Sequence, residues 1–307
     1  MNKSLIKPAA LRGGDTIGIA APSSPFDEES FHQGVQILES MGFRVRVSDE
    51  IFKREGYLAG SDPERAQLLM DLFEDPSVRA VFCARGGFGS MKVLPLLDFE
   101  TIRKNPKILV GFSDITALSL AIYQCCQTVS LHGPLVTTLK KGSRTTLEGL
   151  KSAVSAAGPA VLRPSRPRVL QPGQASGPVL GGNLTTLTHL MGTPYEPSFD
   201  GALLFLEDRG EPPYRIDRML SQLTLAGRLD TVSGILLGTF EDCGPPDKVY
   251  DVVTNAFSRK DLPILGGFDF GHGSENVAFP IGPEATLDTD ERSLRFRESA
   301  LSEAVGS

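Results

Sequence analysis

Residues 107–118 have the sequence KILVGFSDITAL, and the rest of the N-terminal half is organised around this stretch. Its apolar run 108–110 predicts a buried strand, and the pattern after Ser113 is typical of a helix. At such a strand-to-helix turn a serine hydroxyl projects beside the free N–H groups of the first helical turn, which favour an oxyanion. Ser113 is therefore a candidate nucleophile. The alternative is a serine that only caps the helix, since Ile115 stands where the usual G-x-S-x-G turn has its second glycine.

On either side of this turn, strands alternate with helices. Apolar runs and helical periodicity predict strands at 16–21, 44–47, 78–83 and 128–131 and helices at 31–41, 61–73 and 89–97. Such alternation predicts an α/β fold whose mostly parallel sheet is flanked by helices, as in flavodoxin-like domains. Ligands of these sheets bind at the carboxyl ends of the strands, and Ser113 lies at such an end.

The chain divides into two predicted domains. Residues 1–156 form the first, which carries Ser113, and residues 179–307 form a second domain of mixed α/β type. Between them, residues 157–178 are rich in Pro, Gly, Ser and Arg and lack periodicity, which predicts an interdomain linker. The second domain has predicted strands at 202–206, 235–240 and 264–270, helices at 214–225 and 249–257, and a closing hairpin formed by 285–287 and 294–296.

Composition argues against several classes of protein. The 307-residue chain has a net charge of −6, so it has neither the basic surface of a nucleic-acid-binding protein nor a polybasic membrane patch. Residues 1–10 contain no apolar run of signal-peptide length, and no later run is long enough for a membrane span, which predicts a cytoplasmic protein. The four cysteines include no C-x-x-C pair and the four histidines no H-E-x-x-H motif. We therefore expect no disulfide framework, no metal and no cofactor.

The glycine-rich loop 84–90, ARGGFGS, follows a predicted strand and opens a helix. A dinucleotide-binding fingerprint needs G-x-G-x-x-G after the first strand and an acid about twenty residues later. Neither condition is met, which argues against NAD binding. Two interpretations remain: a loop whose backbone approaches a ligand closely and donates N–H groups to it, or a plain tight turn.

Two further strand ends carry residue types that suit catalysis. Glu207 follows the strand at 202–206, and His272 stands between two glycines after the strand at 264–270. Taken singly, the acid is typical of a loop and the histidine of a structural residue. Together with Ser113 they make a set in the chain order Ser, Glu, His. Catalysis by serine needs this set, because the histidine takes the serine proton while the carboxylate orients and stabilises the imidazole.

The sequence resembles the LD-carboxypeptidase family of serine peptidases (family S66, the muramoyltetrapeptide carboxypeptidases). The similarity extends over most of the chain, and its motifs occur in the order expected for the family. The stretches that carry it are 14–18, 20–23, 84–89, 111–118, 132–134, 181–184, 206–208, 213–218 and 271–273.

This resemblance implies the composition of an active site. It implies a Ser113–His272–Glu207 triad divided between the two domains, with the serine in the first and the other two residues in the second. It also implies an oxyanion hole formed by the backbone N–H groups of Gly87 and Asp114. The glycine-rich loop would then be part of the catalytic machinery.

The expected activity is that of a cytoplasmic serine carboxypeptidase. By resemblance, the protein is a homodimer that cleaves an L,D-peptide bond and releases the terminal D-alanine of murein tetrapeptide in cell-wall recycling. One alternative is a microcin-type hydrolase of peptide–nucleotide antibiotics that confers self-immunity, and another is a non-enzymatic two-domain ligand-binding protein. Arg85 and Asn183 are candidate contacts for a peptide substrate. The chain has no tryptophan, so the candidate platforms for a stacked base are Tyr57, Tyr195 and Tyr214.

Overall fold

The computed structural model describes residues 4–155 and 158–303, which fold into two β-sheets flanked by helices. The first sheet takes its parallel strands from the N-terminal half of the chain: β1 (Thr16–Ala20), β2 (Arg44–Arg46), β3 (Val78–Cys83), β4 (Ile108–Gly111) and β5 (Ser130–His132). Both faces of this sheet are buried. On β4, Ile108 and Val110 pack into one hydrophobic core and Leu109 into the other, which explains why this strand is an unbroken apolar run.

The second sheet is built around parallel strands from the C-terminal half. Its strands are β6 (Val161–Leu162), β7 (Arg168–Gln171), β8 (Gln174–Asn183), β9 (Leu203–Arg209), β10 (Gly234–Glu241), β11 (Ile264–Gly271), β13 (Glu284–Asp288) and β14 (Ser293–Phe296). One further strand of this half of the chain, β12 (Phe279–Ile281), belongs to the first sheet. The strand order of the second sheet is β6-β14-β13-β8-β9-β10-β11-β7. Strands β8 to β11 are parallel at its centre, and the flanking strands are antiparallel. The predicted α/β fold class with two sheets is confirmed, as is the closing hairpin of β13 and β14.

Helices pack on both sheets. They are α1 (Glu28–Ser40), α2 (Asp62–Glu74), α3 (Ser90–Val93), α4 (Phe99–Lys104), α5 (Thr116–Cys126), α6 (Val136–Leu139), α7 (Arg144–Ser155), α8 (Leu184–His189), α9 (Pro213–Leu225) and α10 (Pro246–Phe257). Short 3₁₀ turns lie at Asp49–Phe52, Leu94–Leu96 and Ser113–Ile115. The single helix predicted at 89–97 is instead divided between α3 and a 3₁₀ turn, since Pro95 has no N–H to continue α-helical bonding.

Two features cross the predicted domain boundaries. The described part of the predicted linker, 158–178, contains β6, β7 and the start of β8, so it belongs to the second sheet and is not a free connection. In the other direction, β12 leaves the C-terminal half and pairs antiparallel with β5, which gives the first sheet the order β12-β5-β4-β3-β1-β2. The two halves of the chain are therefore interlocked.

Candidate active site

Ser113 lies at the turn that joins β4 to α5, at the carboxyl end of the strand. Its φ angle is +64°, in the left-handed region that residues with side chains rarely adopt. Such a conformation costs about 1–3 kcal/mol and persists where the surrounding structure enforces it, as at nucleophile turns. The N-cap of this turn is Phe112. Ser113 therefore lies within the turn and is not the residue that caps it.

The imidazole of His272 lies between Ser113 and Glu207. Its Nε2 is 3.1 Å from Ser113 Oγ, and its Nδ1 is 2.6 Å from Glu207 Oε2. The Glu207 side chain is fully buried at the end of β9, and that of His272 is 15% exposed. When Nδ1–H is donated to the carboxylate, Nε2 is left as the acceptor for the serine proton. The structure therefore brings together the three residues predicted from their positions at strand ends.

Burial dominates the electrostatics of Glu207. It raises the pKa of this carboxyl above its ordinary value, and the hydrogen bond and charge of His272 act against that rise. A buried carboxylate strongly favours the charged form of a partner that it contacts directly. Glu207 is thus placed to stabilise the imidazolium that forms when His272 accepts a proton.

Gly271 permits the close approach of His272 to Glu207. Its φ angle is +105°, and a β carbon at this position would lie 2.6 Å from Glu207 Oε2. Any larger residue would push the carboxylate away from His272 Nδ1. Glycine is required at the end of β11 for both reasons.

The glycine-rich loop lies against Ser113. A β carbon on Gly86 would be 3.1 Å from the β carbon of Ser113. The Asp114 carboxylate fixes the surroundings of the loop, because it accepts hydrogen bonds from the Ser23 hydroxyl at 2.6 Å and from the Ser90 N–H at 2.8 Å. The loop and the serine turn are therefore held as one unit.

The predicted oxyanion donors, Gly87 and Asp114, belong to this unit. Asp114 directly follows the serine, and Gly87 has a φ angle of +101° in the loop. A β carbon on Gly87 would lie 2.5 Å from Ser24 Oγ, so the loop packs tightly on the segment that follows β1. Donation by these two N–H groups to an oxyanion stays a prediction.

The two residues predicted to contact substrate have partners within the protein. The exposed Arg85 guanidinium donates to the carbonyl oxygen of Pro25. Asn183 is buried and caps α8, with Oδ1 accepting from the Thr186 N–H at 3.0 Å and Nδ2 donating to Asp208 at 2.9 Å. The structure thus gives Asn183 a supporting function that the sequence did not indicate. Contact of either side chain with a substrate stays a prediction.

The three candidate aromatic platforms lie in different places. Tyr57 packs edge-to-face on Phe88 of the glycine-rich loop, with 5.5 Å between ring centroids, and both rings are exposed. Tyr195 is partly buried and packs against Phe99, and Tyr214 is exposed on α9. Of the three, Tyr57 is the one that contacts the glycine-rich loop.

The hydroxyl groups that support the site were not predicted from the sequence. The Ser23 and Ser90 side chains bind Asp114, Ser23 at its carboxylate and Ser90 at its carbonyl oxygen. The Thr116 hydroxyl accepts a hydrogen bond from the backbone N–H of Asn183 at 3.1 Å. Ser23 did carry a usable signal, because it follows β1 at the same edge of the sheet as the serine turn. Thr116 carried no such signal, because its partner Asn183 is distant in the sequence.

Within residues 4–155 and 158–303, no group of three or more His, Cys, Asp or Glu side chains is arranged to hold a metal ion. Burial raises the pKa of the Cys83 thiol, as expected for a structural cysteine. No helix in the described ranges combines the length and the apolar character that crossing a bilayer requires.

Fold and site together define a two-sheet α/β protein whose polar cluster lies where the sheets meet. The profile of the LD-carboxypeptidase N-terminal domain matches residues 17–133, and the profile of the LD-carboxypeptidase C-terminal domain matches residues 176–287. The chain belongs to the LD-carboxypeptidase family, peptidase family S66. The family predicted from the sequence motifs is thus confirmed.

Named relatives are similar to the chain over nearly its whole length. It is 40% identical to a probable murein peptide carboxypeptidase of Bacillus subtilis (strain 168), covering 97% of this chain and 96% of that protein. It is 31% identical to the microcin C7 self-immunity protein MccF of Escherichia coli, covering 96% of each. A structure of MccF with aspartyl sulfamoyl adenosine matches with a TM-score of 0.90 at 28% identity, over 97% of this chain and 100% of that one. The muramoyltetrapeptide carboxypeptidase of Oxalobacter formigenes matches with a TM-score of 0.82 at 28% identity, over 94% and 100%.

Proposed function

We propose that the protein is a cytoplasmic serine carboxypeptidase that cleaves an L,D-peptide bond and releases the terminal D-alanine of murein tetrapeptide in cell-wall recycling. The observation that carries the proposal is the contact of one imidazole, His272, with both Ser113 and Glu207. The names of the Bacillus and Oxalobacter relatives support the substrate class. The cytoplasmic location rests on the sequence alone.

In the proposed reaction, Ser113 Oγ attacks the carbonyl carbon that links the L-residue to D-alanine. His272 Nε2 takes the serine proton and then gives it to the leaving amine, while Glu207 stabilises the imidazolium in between. The N–H groups of Gly87 and Asp114 donate to the oxyanion of the tetrahedral intermediate. Water then attacks the acyl-enzyme with His272 as the base, which frees the shortened peptide and restores the serine.

The preference for a terminal D-residue would arise because a rigid site recognises both the methyl group and the carboxylate of that residue. Relative to an L-residue, a D-residue exchanges the positions of its methyl group and its carboxylate. A rigid site therefore rejects the wrong isomer through a clash and an unpaired carboxylate. Arg85, an exposed cation within the glycine-rich loop, is the proposed contact for the terminal carboxylate.

Hydrolysis of a peptide–nucleotide is the second candidate function. It is favoured by the similarity to MccF and by the exposed pair of Tyr57 and Phe88 at the glycine-rich loop. Stacking of a base on an aromatic ring contributes roughly 1–3 kcal/mol. A nucleotide substrate would therefore gain affinity from this pair if its base reached the loop.

A competition between substrates tests the proposal. The purified protein is offered a tetrapeptide ending in L-Lys–D-Ala or diaminopimelate–D-Ala, a peptide ending in D-Ala–D-Ala, an all-L peptide and aspartyl sulfamoyl adenosine, and kcat/KM is measured for each. We expect release of D-alanine from the first class with a preference of about 100-fold or more. Faster turnover of the nucleotide would favour the second function. No turnover, together with no labelling of Ser113 by a fluorophosphonate, would favour the ligand-binding protein.

We also propose that the protein is a homodimer, on the strength of the family resemblance. Sedimentation velocity at micromolar concentration measures its mass in solution. A clean monomer would contradict this proposal and leave the proposed chemistry unaffected.

A further inference from the structure

His272 lies in a short loop between β11 and β12 that is closed at its base. The Gly271 N–H donates a hydrogen bond to Asn276 Oδ1 at 3.0 Å. The Val277 N–H donates to the carbonyl oxygen of Asp269 at 2.7 Å. Because these two bonds join the end of β11 to the returning side of the loop, the position of His272 depends on how that side is held.

Glu275 holds the returning side of the loop. Its Oε2 accepts a hydrogen bond from the Ser143 hydroxyl and a second one, at 2.8 Å, from the Thr146 hydroxyl. The Thr146 hydroxyl in turn accepts from the backbone N–H of Asn276 at 3.1 Å. Two adjacent residues of the loop are thus bound to one pair of hydroxyl groups.

These hydroxyl groups lie at the start of α7, a helix of 12 residues. Ser143 precedes the helix, and its Oγ accepts a hydrogen bond from the Thr146 N–H at 3.2 Å, as an N-cap serine does. An anion is stabilised at this end of a helix, where the first N–H groups have no intrahelical partner. Hydrogen bonds to a carboxylate are also stronger than those between neutral groups. The Glu275 carboxylate therefore binds where both its charge and its oxygen are favoured.

The helix that binds Glu275 belongs to the half of the chain that supplies the nucleophile. Leu150 and Val154 of α7 lie in the hydrophobic core that also contains the apolar side chains on one face of β4, the strand before Ser113. The 3.1 Å contact between His272 Nε2 and Ser113 Oγ joins the same two halves of the chain. The carboxylate thus connects the histidine loop to the body on which the serine is built.

We infer that Glu275 positions His272 against Ser113, by fixing the histidine loop on α7. Its hydrogen bonds within the described ranges go to Ser143 and Thr146 and not to the reacting atoms, so it is a positioning residue. Without its carboxylate the loop would keep its closed base and lose both of these bonds. His272 would then be free to move relative to the serine.

Two substitutions at Glu275 separate positioning from packing. Glu275→Ala removes the acceptor, and Glu275→Gln keeps an amide oxygen that can accept from both hydroxyl groups. Glu275→Ala should lower kcat about tenfold or more and change KM by less than about twofold, because a displaced general base acts on the chemical step. Glu275→Gln should keep kcat within about threefold of the wild type.

A second pair of variants tests the other end of the contact. Thr146→Val removes the hydroxyl and should lower kcat by a similar factor, and Thr146→Ser keeps the hydroxyl and should retain most of the rate. The double variant of Glu275→Ala and Thr146→Val should be little slower than the slower single variant, because both changes break one connection.

Glu196→Ala is the matched control. The Glu196 carboxylate also fastens a loop, since it accepts hydrogen bonds from the Gly192 N–H and from Arg228. This loop joins α8 to the amino end of β9, whereas the candidate active site lies at the carboxyl ends of the strands. The control variant should therefore keep the wild-type kcat.

Several outcomes would overturn the inference. An unchanged kcat in Glu275→Ala, even with a lower Tm, would indicate a purely structural contact. A Glu275→Gln variant as slow as Glu275→Ala would show that the hydrogen bonds are not what matters. Losses that multiply in the double variant would show that Glu275 and Thr146 act separately.

The kinetic readout rests on the proposed function, so a second readout is needed. The rate at which a fluorophosphonate labels Ser113 requires His272 in place but no peptide. If the wild-type protein is labelled but cleaves none of the peptides, the proposed function fails and the labelling rate decides the inference. We expect labelling of Glu275→Ala to be about tenfold slower and that of Glu275→Gln to be close to the wild type. Equal labelling rates for Glu275→Ala and the wild type would overturn the inference, and a wild-type protein that is neither labelled nor active would overturn both proposals.

Discussion

Thr116 and Asn183 are joined by a hydrogen bond in which the backbone N–H of Asn183 donates to the Thr116 hydroxyl over 3.1 Å. Thr116 begins the helix that follows the Ser113 turn, and Asn183 is the register partner of Glu207 on the neighbouring strand. This bond therefore links the half of the chain that supplies the nucleophile to the half that supplies the carboxylate.

Thr116→Val removes the acceptor of this bond and keeps the shape of the side chain. The buried N–H of Asn183 is then unpaired, which should lower the free energy of unfolding by about 1–3 kcal/mol. We also expect a several-fold fall in kcat, because the two halves lose a direct link. Urea denaturation and steady-state kinetics measure the two effects. Thr138→Val, which removes a hydroxyl bonded within its own turn, is the control, and an equal fall in kcat there would argue against the link.

Ser113 and His272 should behave as one catalytic unit. Ser113→Ala and His272→Ala should each lower kcat by roughly 10⁴–10⁶-fold, and the double variant should be little slower than either. Glu207→Gln should fold normally and lose a large part of the rate, because the imidazolium loses its anionic partner. His189→Ala removes an exposed histidine and serves as the control. Near-wild-type turnover by Ser113→Ala would contradict the proposed mechanism.

Gly271→Ala should damage both stability and catalysis. The positive φ angle costs about 1 kcal/mol or more for alanine, and the new methyl group would displace the Glu207 carboxylate. Gly42→Ala is the matched control, because Gly42 has a φ angle of +98° and open space around its α carbon. Both variants should lose thermal stability, and only Gly271→Ala should lose kcat. Full activity of Gly271→Ala would show that the close approach to Glu207 is dispensable.

The buried imidazole of His132 should make stability depend on pH. Burial, and then His272, lower its pKa from the ordinary 6.5 to about 3 in the folded protein. Between these two values the unfolded chain binds a proton that the folded chain does not. The free energy of unfolding should therefore fall as the pH drops below 6.5, by up to about 1.4 kcal/mol per pH unit, and this contribution is complete above pH 6.5.

The raised pKa of Glu207 has the opposite sign, since the folded state then takes up a proton at a higher pH than the unfolded state. The free energy of unfolding is measured by urea denaturation from pH 7 to pH 4 for the wild type and for His132→Phe. The difference between the two slopes of this free energy against pH is the contribution of His132. His189→Gln, at an exposed position, should retain the wild-type slope. Parallel slopes for wild type and His132→Phe would contradict the assignment.

Prolonged treatment with EDTA should leave the activity intact. A base in contact with a serine hydroxyl, as His272 is with Ser113, activates the nucleophile without a metal ion. A serine-directed reagent should abolish turnover in the same preparation. Loss of activity on chelation, restored by added zinc, would contradict a purely serine-based reaction.

The catalytic set could be predicted from the sequence because each member lies at or near the carboxyl end of a strand. Ser113 and His272 follow β4 and β11, and Glu207 lies within β9 near its carboxyl end. The carboxyl ends of parallel strands converge at one edge of a sheet. A residue type and a strand boundary are both local properties, so the sequence alone contains them.

The remaining supports depend on pairings that no local pattern encodes. The strands β6 and β7 are short, partly exposed and antiparallel, so they show neither the apolar run nor the clear alternation of a predictable strand. Asn276 is an ordinary polar loop residue until its partners, on β11 and α7, are known. These contacts join residues that are distant in the sequence, so the structure is needed to identify them.

The pairing of β12 with β5 has a consequence for synthesis of the chain on the ribosome. At about 5–20 residues per second, roughly 7–30 s separate the emergence of β5 from that of β12. During that interval the outer edge of β5 is unpaired, and such an edge is a template for strands of neighbouring nascent chains. The nucleophile is translated before β5, but the sheet that holds it is completed only after β12 has left the exit tunnel, well over a hundred residues later.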